Sequence, residues 1–258
     1  MALVELSELS SHCLRITFND PANLNAMGED MAAEFVALVE KIRVEHSGCR
    51  CIIMTGAGRA FSAGGNLEML ERKQQLSEAE NQRLMLKFYH SFLGILSLNV
   101  PLVAAINGHA IGAGLCLAAA CDVRVASDQA KFGVTFTRLG LHPGMGGTFF
   151  LPRVLGYAAA AELMLSGRVV DAAEAMRIGL VSKVVPSADL MSQAEALASE
   201  IASCGPEANR AVLQTLRAGS TTLAAALERE SSCQSLSYKS AEFKEGVRAA
   251  IEKRKAVF

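Results

Sequence analysis

Two stretches of the chain set glycines directly before apolar segments: TGAGRAFSAGGNLEML (55–70) and NGHAIGAGLCLAAACD (107–122). Glycine permits positive φ and close backbone approach, and the first residues of a helix carry N–H groups without intrahelical partners. Two such helix starts facing one point make a site for an oxygen that bears negative charge. The substrate class that fits paired backbone donors is a thioester or ester, whose carbonyl becomes an enolate or a tetrahedral oxyanion. Each turn taken singly also reads as plain strand-to-helix punctuation. Neither matches G-x-x-x-x-G-K-[ST], and Gly112-Ala113-Gly114 lacks the third glycine of a dinucleotide fingerprint. No G-x-S-x-G occurs, so a nucleophile elbow is absent.

Few side chains near these turns carry acid–base chemistry. His142, in LGLHPGMGG, is flanked by glycines, and a histidine there suits general-base work near neutral pH. It also suits a ring held by backbone carbonyls in a tight X-Pro turn. Cys116 sits in GLCLAAAC, an apolar setting that raises a thiol's pKa and favours packing over reactivity. Glu68 reads as a surface helix charge or as a group reaching the pocket mouth, and His109 as a local packing or hydrogen-bonding group. Arg138 reads as a ligand for an acidic acyl tail or as a partner for a nearby carboxylate.

The elements around these residues alternate. LVELSELSSHCLRITF (3–18) reads as a hairpin about Ser10 and Ser11, and the stretch from Asn23 to His46 as an Asn-led amphipathic helix. CRCIIMTG and PLVAAING are short apolar strands ending in glycine, and DVRVAS follows the segment 112–121. Strands alternating with helices predict a right-handed, mainly parallel α/β unit with both sheet faces covered. Ser77 with Glu80 and Asp171 with Glu174 have capping-box spacing. Past residue 190 the chain turns helical, with breaks at Cys204-Gly205-Pro206 and Gly219-Ser220. The division expected is a core over 1–190 and a helical region over 191–258.

With 258 residues, half of them apolar, the chain is long enough for one large core. Its formal charge of −1 gives no general attraction to nucleic acid or to an anionic membrane. No apolar run is long enough to span a bilayer. The seven cysteines include one C-x-C pair (Cys49, Cys51) with no second pair or histidine set at zinc spacing. They read as reduced core thiols, with no metal site. The N-terminus shows no targeting pattern, so a cytoplasmic location is expected.

Six blocks in order resemble the crotonase (enoyl-CoA hydratase/isomerase) superfamily: ITFNDPANLNAM, GRAFSAGGNLEML, PLVAAINGHAIGAGLCLAAACDVRVAS, KFGVTFTRLGLHPGMGGTFFLPRVLG, SGRVVDAAEAMRIGLVSKVV and FKEGVRAAIEKRKAVF. The resemblance implies an α/β spiral of ββα repeats with a C-terminal helical trimerisation region, assembled as a homotrimer or dimer of trimers. It implies an acyl-CoA thioester ligand, with coenzyme A entering as part of the substrate and no separate cofactor. The family's oxyanion-hole amides fall on Gly65 and Ala113, and its adenine and pantetheine contacts around Ala60, Ser62 and Ala63. The basic cluster Lys253, Arg254, Lys255 matches side chains that meet CoA phosphates, and equally fits a solvated helix end.

The family's pattern breaks where its acids belong. The two glutamates of its hydratases fall here on Cys116 and Phe136, and the aspartate of its dienoyl isomerases on Gly144. Cys116 and Phe136 are then expected to wall the acyl pocket, with His142 left as the candidate base. A lysine often found near the N-terminal signature is replaced by Ala22. Two readings follow: an acyl-CoA enzyme that stabilises an enolate without the ordinary hydration acids, or a non-catalytic acyl-CoA-binding protein.

Overall fold

The computed structural model describes residues 2–10 and 12–258. Its strands, in chain order, are β1 (Val4–Ser10), β2 (Cys13–Phe18), β3 (Cys51–Gly56), β4 (Ala60–Ser62), β5 (Leu102–Ile106), β6 (His109–Ile111), β7 (Val123–Ser127), β8 (Lys131–Gly133), β9 (Val169–Asp171) and β10 (Lys183–Val185). The helices through the first half are α1 (Glu29–Glu45), α2 (Leu67–Arg72), α3 (Glu78–Leu93), α4 (Ala113–Ala120) and α5 (Gly147–Leu155). Then come α6 (Tyr157–Ser166), α7 (Ala172–Arg177), α8 (Leu190–Ala202), α9 (Pro206–Ala218), α10 (Leu223–Ser237) and α11 (Ala241–Ile251).

The large sheet has the order β1-β2-β3-β5-β7-β10, antiparallel between β1 and β2 and parallel from β2 onward. The expected hairpin is present as the β1–β2 pair, although Ser11 lies outside the described residues. β3 and β5 are buried along their whole length, as continuous apolar runs between two covered faces must be. A second sheet, β4-β6-β8-β9, stacks strands of three residues each. Each repeat sends one strand to the large sheet, the next to the small one, and then runs into helix, as β3-β4-α2 and β5-β6-α4 show. This is the crotonase-like spiral.

Two cores cover the large sheet. On one face α1 buries Met31, Phe35, Leu38, Val39 and Ile42, residues spaced three or four apart along one helical stripe. Phe35 stacks on Phe18 at 5.8 Å and meets Phe92 of α3 at 5.3 Å. On the other face α8 lays Leu190, Ala194, Ala198 and Ala202 against Cys51, Ile53, Val103 and Ala105. The expected helical region therefore begins with a helix that belongs to the sheet's packing, and the more independent helices follow Pro206. Arg217 on α9 ties that part down. Its guanidinium donates to both Asp122 oxygens at 3.0 and 2.7 Å and to the carbonyls of Leu96 and Val100.

Ser77 and Glu80 form the reciprocal capping box that the spacing predicts. Asp171 caps α7 through the Glu174 N–H, but the Glu174 carboxylate turns away to Arg168 at 2.8–2.9 Å. A bidentate guanidinium outcompetes a single backbone donor there. Five of the cysteines are buried, whereas Cys204 is exposed and Cys233 half-buried, so two of the seven are not core thiols. No cluster of metal-ligating side chains occurs among the described residues.

Candidate active site

The two glycine loops meet. The first runs from β4 through Ala63, Gly64 and Gly65 into α2, where the Asn66 side chain accepts the Met69 N–H and caps the helix. It is clamped from below by Asn25, a fully buried side chain. The Asn25 side-chain amide donates to the carbonyls of Ala57 (2.9 Å) and Ala60 (2.7 Å), and the Asn25 backbone carbonyl accepts the Ser62 hydroxyl (2.8 Å). Ser62 Oγ in turn accepts the Gly64 N–H at 3.1 Å. The second loop runs from β6 through Gly112 into α4, all eight residues of which are buried.

Contact between the loops explains two of the glycines. Gly64 has φ +96°, and a Cβ on it would stand 2.7 Å from the Ile111 carbonyl and 3.4 Å from the Ala113 nitrogen. A Cβ on Gly114 would stand 2.6 Å from the Ser62 carbonyl. Only residues without side chains allow the loops this approach. Beside their junction opens a cavity of about 370 Å³, a size suited to a small acyl group. Gly65 and Ala113 both line it, and neither N–H donates a hydrogen bond among the described residues. Two unused backbone donors at one apolar cavity match the charge that develops on a thioester oxygen.

The rest of the wall is mostly apolar. Ala63, Phe136, Leu70, Met85, Phe88 and Met145 contribute, Asn23, Thr135 and Tyr89 are the polar side chains, and no carboxylate lines the cavity among the described residues.

The family model for enoyl-CoA hydratase/isomerase matches residues 8–258. The chain belongs to the enoyl-CoA hydratase/isomerase family. YngF of Bacillus subtilis (strain 168), which carries an enoyl-CoA hydratase/isomerase name, is 38% identical over 253 residues, 96% of this chain and 95% of its own. Among solved structures, an enoyl-CoA hydratase from Bacillus anthracis superposes with a TM-score of 0.89 at 31% identity, covering 99% of this chain and 98% of that one. An enoyl-CoA hydratase from Polaromonas sp. JS666 gives 0.90 at 28% identity, covering 98% of each.

Within this family member the sequence-predicted site residues divide. Gly65, Ala113, Ala63 and Phe136 come together at the cavity. Cys116 is buried just behind the wall, beside Gly147, and desolvation pushes its thiol up to about 12. Ala60 and Ser62 are buried, and the Ser62 hydroxyl is spent on holding the loop. His142 is exposed and does not line the cavity; its Nδ1 lies 2.8 Å from the Pro143 carbonyl. Because a carbonyl only accepts, Nδ1 carries the proton in the neutral ring and Nε2 the lone pair. Lys253 is exposed beyond the end of α11, while Arg254 next to it is engaged by Glu245 and Glu252.

Three of the other candidates stand apart from the site. Glu68 is an exposed first-turn acid of α2, as read. Arg138 is exposed and forms no ion pair among the described residues. His109 is exposed, so its expected packing is corrected: it is the first residue of β6, and alternation along the strand turns Ala110 inward and the histidine outward. Two residues that act here went unnoticed in the sequence. Asn25 carries no motif signal beyond its Asn-rich surroundings. Tyr89 shares a stripe with Met85 and Phe88 at helical spacing, and that stripe was the available clue.

Proposed function

We propose that the protein takes an acyl-CoA thioester, seats the acyl group in the 370 Å³ cavity and stabilises the thioester's enolate between the Gly65 and Ala113 amides. The observation that carries this reading is the pair of unused N–H donors on two loops locked together by Gly64 and Gly114. The names of the relatives, hydratases and isomerases of enoyl-CoA, support the same substrate class. Two-carboxylate hydration has no support in the lining, because an activated water needs one group to take a proton while another gives one. We retain His142 as the base: its chain neighbour Leu141 lines the cavity, and a movement of that glycine-rich loop brings Nε2 inward. Lys253, with Lys255, remains the proposed contact for CoA phosphates.

A second reading has its own observation. A cavity lined by no carboxylate and no histidine among the described residues suits a protein that binds acyl-CoA without turning it over. Incubation of saturated, 2-enoyl, 3-enoyl and 3-oxoacyl-CoAs in deuterated water, read by mass spectrometry, separates the two. Deuterium gain at the α-carbon, lost in His142→Ala, is the expected result. Exchange unchanged in that variant removes the histidine from the reaction, and no change in any thioester moves the binding reading to first place.

We also assign the exposed apolar residues of the last helices to contact with further copies of the chain. Leu223, Leu227, Leu236, Val247 and Ile251 are exposed, and α10 buries no residue of its own. Helices of this kind in a monomer lack a partner surface. Light scattering giving a trimer or hexamer mass is the expected outcome.

A further inference from the structure

Tyr89 is the one titratable side chain that lines the cavity among the described residues. It projects from the last half of α3, half-buried, with its ring edge-on to Phe88 at 6.4 Å. One neighbour fixes where the hydroxyl sits. A Cβ on Gly144 would collide with the Tyr89 hydroxyl oxygen and stand 2.8 Å from the ring carbon that bears it. Burial pushes the phenol's pKa upward. The phenol is therefore neutral at neutral pH and acts as a donor. Its hydroxyl makes no hydrogen bond among the described residues.

Tyr89 lines the same cavity as the Gly65 and Ala113 amides, so an acyl chain whose thioester oxygen meets those amides shares that space with the phenol. The cavity's other polar side chains are Asn23 and Thr135, and neither hydrogen-bonds the phenol among the described residues. A plain alkyl chain there leaves the phenol hydroxyl without an acceptor, whereas an oxygen on the chain gives it one.

We propose that Tyr89 is a substrate-contacting specificity residue whose hydroxyl donates a hydrogen bond to an oxygen carried on the acyl chain. The substrate class is acyl thioesters with an oxygen on the chain, 3-oxo and 3-hydroxy chains among them, in preference to unsubstituted chains of the same length. This rests on the thioester reading above and adds to it the identity of the group that reads the chain. Tyr89 moves no proton in this role.

The test compares butyryl-CoA, 3-hydroxybutyryl-CoA and acetoacetyl-CoA by titration calorimetry on the full chain and on Tyr89→Phe, which keeps the ring and its packing. The intact protein is expected to bind at least one of the two oxygenated thioesters about two- to tenfold more tightly than butyryl-CoA, the net worth of one neutral hydrogen bond. In Tyr89→Phe that ratio falls to about one. Gly144→Ala, which displaces the hydroxyl without removing it, is expected to erase the same preference. A preference that survives in Tyr89→Phe, or its absence in the intact protein, overturns the proposal and leaves the thioester reading standing. Failure of all three thioesters to bind overturns both.

Discussion

Gly114→Ala pits two effects of opposite sign against each other. Gly114 lies in the first turn of α4, and helix propensity alone favours alanine there by about 1 kcal/mol. The structure predicts the reverse. The added methyl would stand 2.6 Å from the Ser62 carbonyl oxygen and 2.7 Å from the Ser62 Cβ, atoms of the opposing loop. That loop cannot step aside easily, since Ser62 is bonded to Asn25 and Gly64 on either side. Overpacking of this kind costs about 1–3 kcal/mol, so the net change after the propensity gain is a loss of up to about 2 kcal/mol. For a chain of this length that is a fall in Tm of several degrees, at about 2–4 °C per kcal/mol.

The second consequence is at the site, because the same displacement moves the Gly65 amide relative to the Ala113 amide. Differential scanning calorimetry and acyl-CoA titration on the purified variant measure both. Gly94→Ala is the control: it ends α3 with nothing within 4 Å of the new methyl, and its Tm is expected to hold or rise slightly. If Gly114→Ala is as stable as the parent and binds acyl-CoA equally well, the account of the loop junction is wrong.

Ala113→Pro deletes one donor at the first position of α4, where proline is tolerated. α-Proton exchange is expected to fall about 10²–10³-fold with little change in Tm, and undiminished exchange would exclude that amide from the site. Arg217→Met strands the half-buried Asp122 and frees two carbonyls. Urea titration should show a loss of about 1–3 kcal/mol. Iodoacetamide at pH 8 should label the exposed Cys204 in the native protein and spare Cys116 until unfolding, read by peptide mass spectrometry. Burial holds the Cys116 thiol near 12, which leaves about one molecule in 10⁴ as thiolate. The same raised thiols set an alkaline limit. Unfolded cysteines ionise near 9, while Cys49 keeps its proton to about 11 and Cys116 and Cys121 to about 12. The unfolded state therefore binds fewer protons in that window. Stability should fall as pH rises from about 9 to 12, and a flat profile would contradict the burial.

The sequence by itself determined what short-range chemistry and periodicity encode. β3 and β5 are legible as apolar runs ended by glycine, α1 as a three-and-four stripe, and the start of α3 as a Ser77–Glu80 box. The glycines at 64, 65, 112 and 114 marked the two loops, and at 64, 112 and 114 a side chain would bring backbone strain or a clash. Tertiary structure decided what depends on residues far apart in the chain. The small sheet is built of three-residue strands, too short to show any alternation, and exists only because the repeats stack. α8 reads like the other C-terminal helices, yet its alanines pack on the large sheet. His142 and Tyr89 show the same limit at the site. A glycine-flanked histidine stands out in the sequence, but the fold turns its ring to solvent. Tyr89 looks like one more apolar position on a helix, and the fold brings it to the cavity beside the two glycine loops, with Ala113 24 positions later in the chain. Spacing along a chain fixes which residues share a face; only packing decides what that face meets.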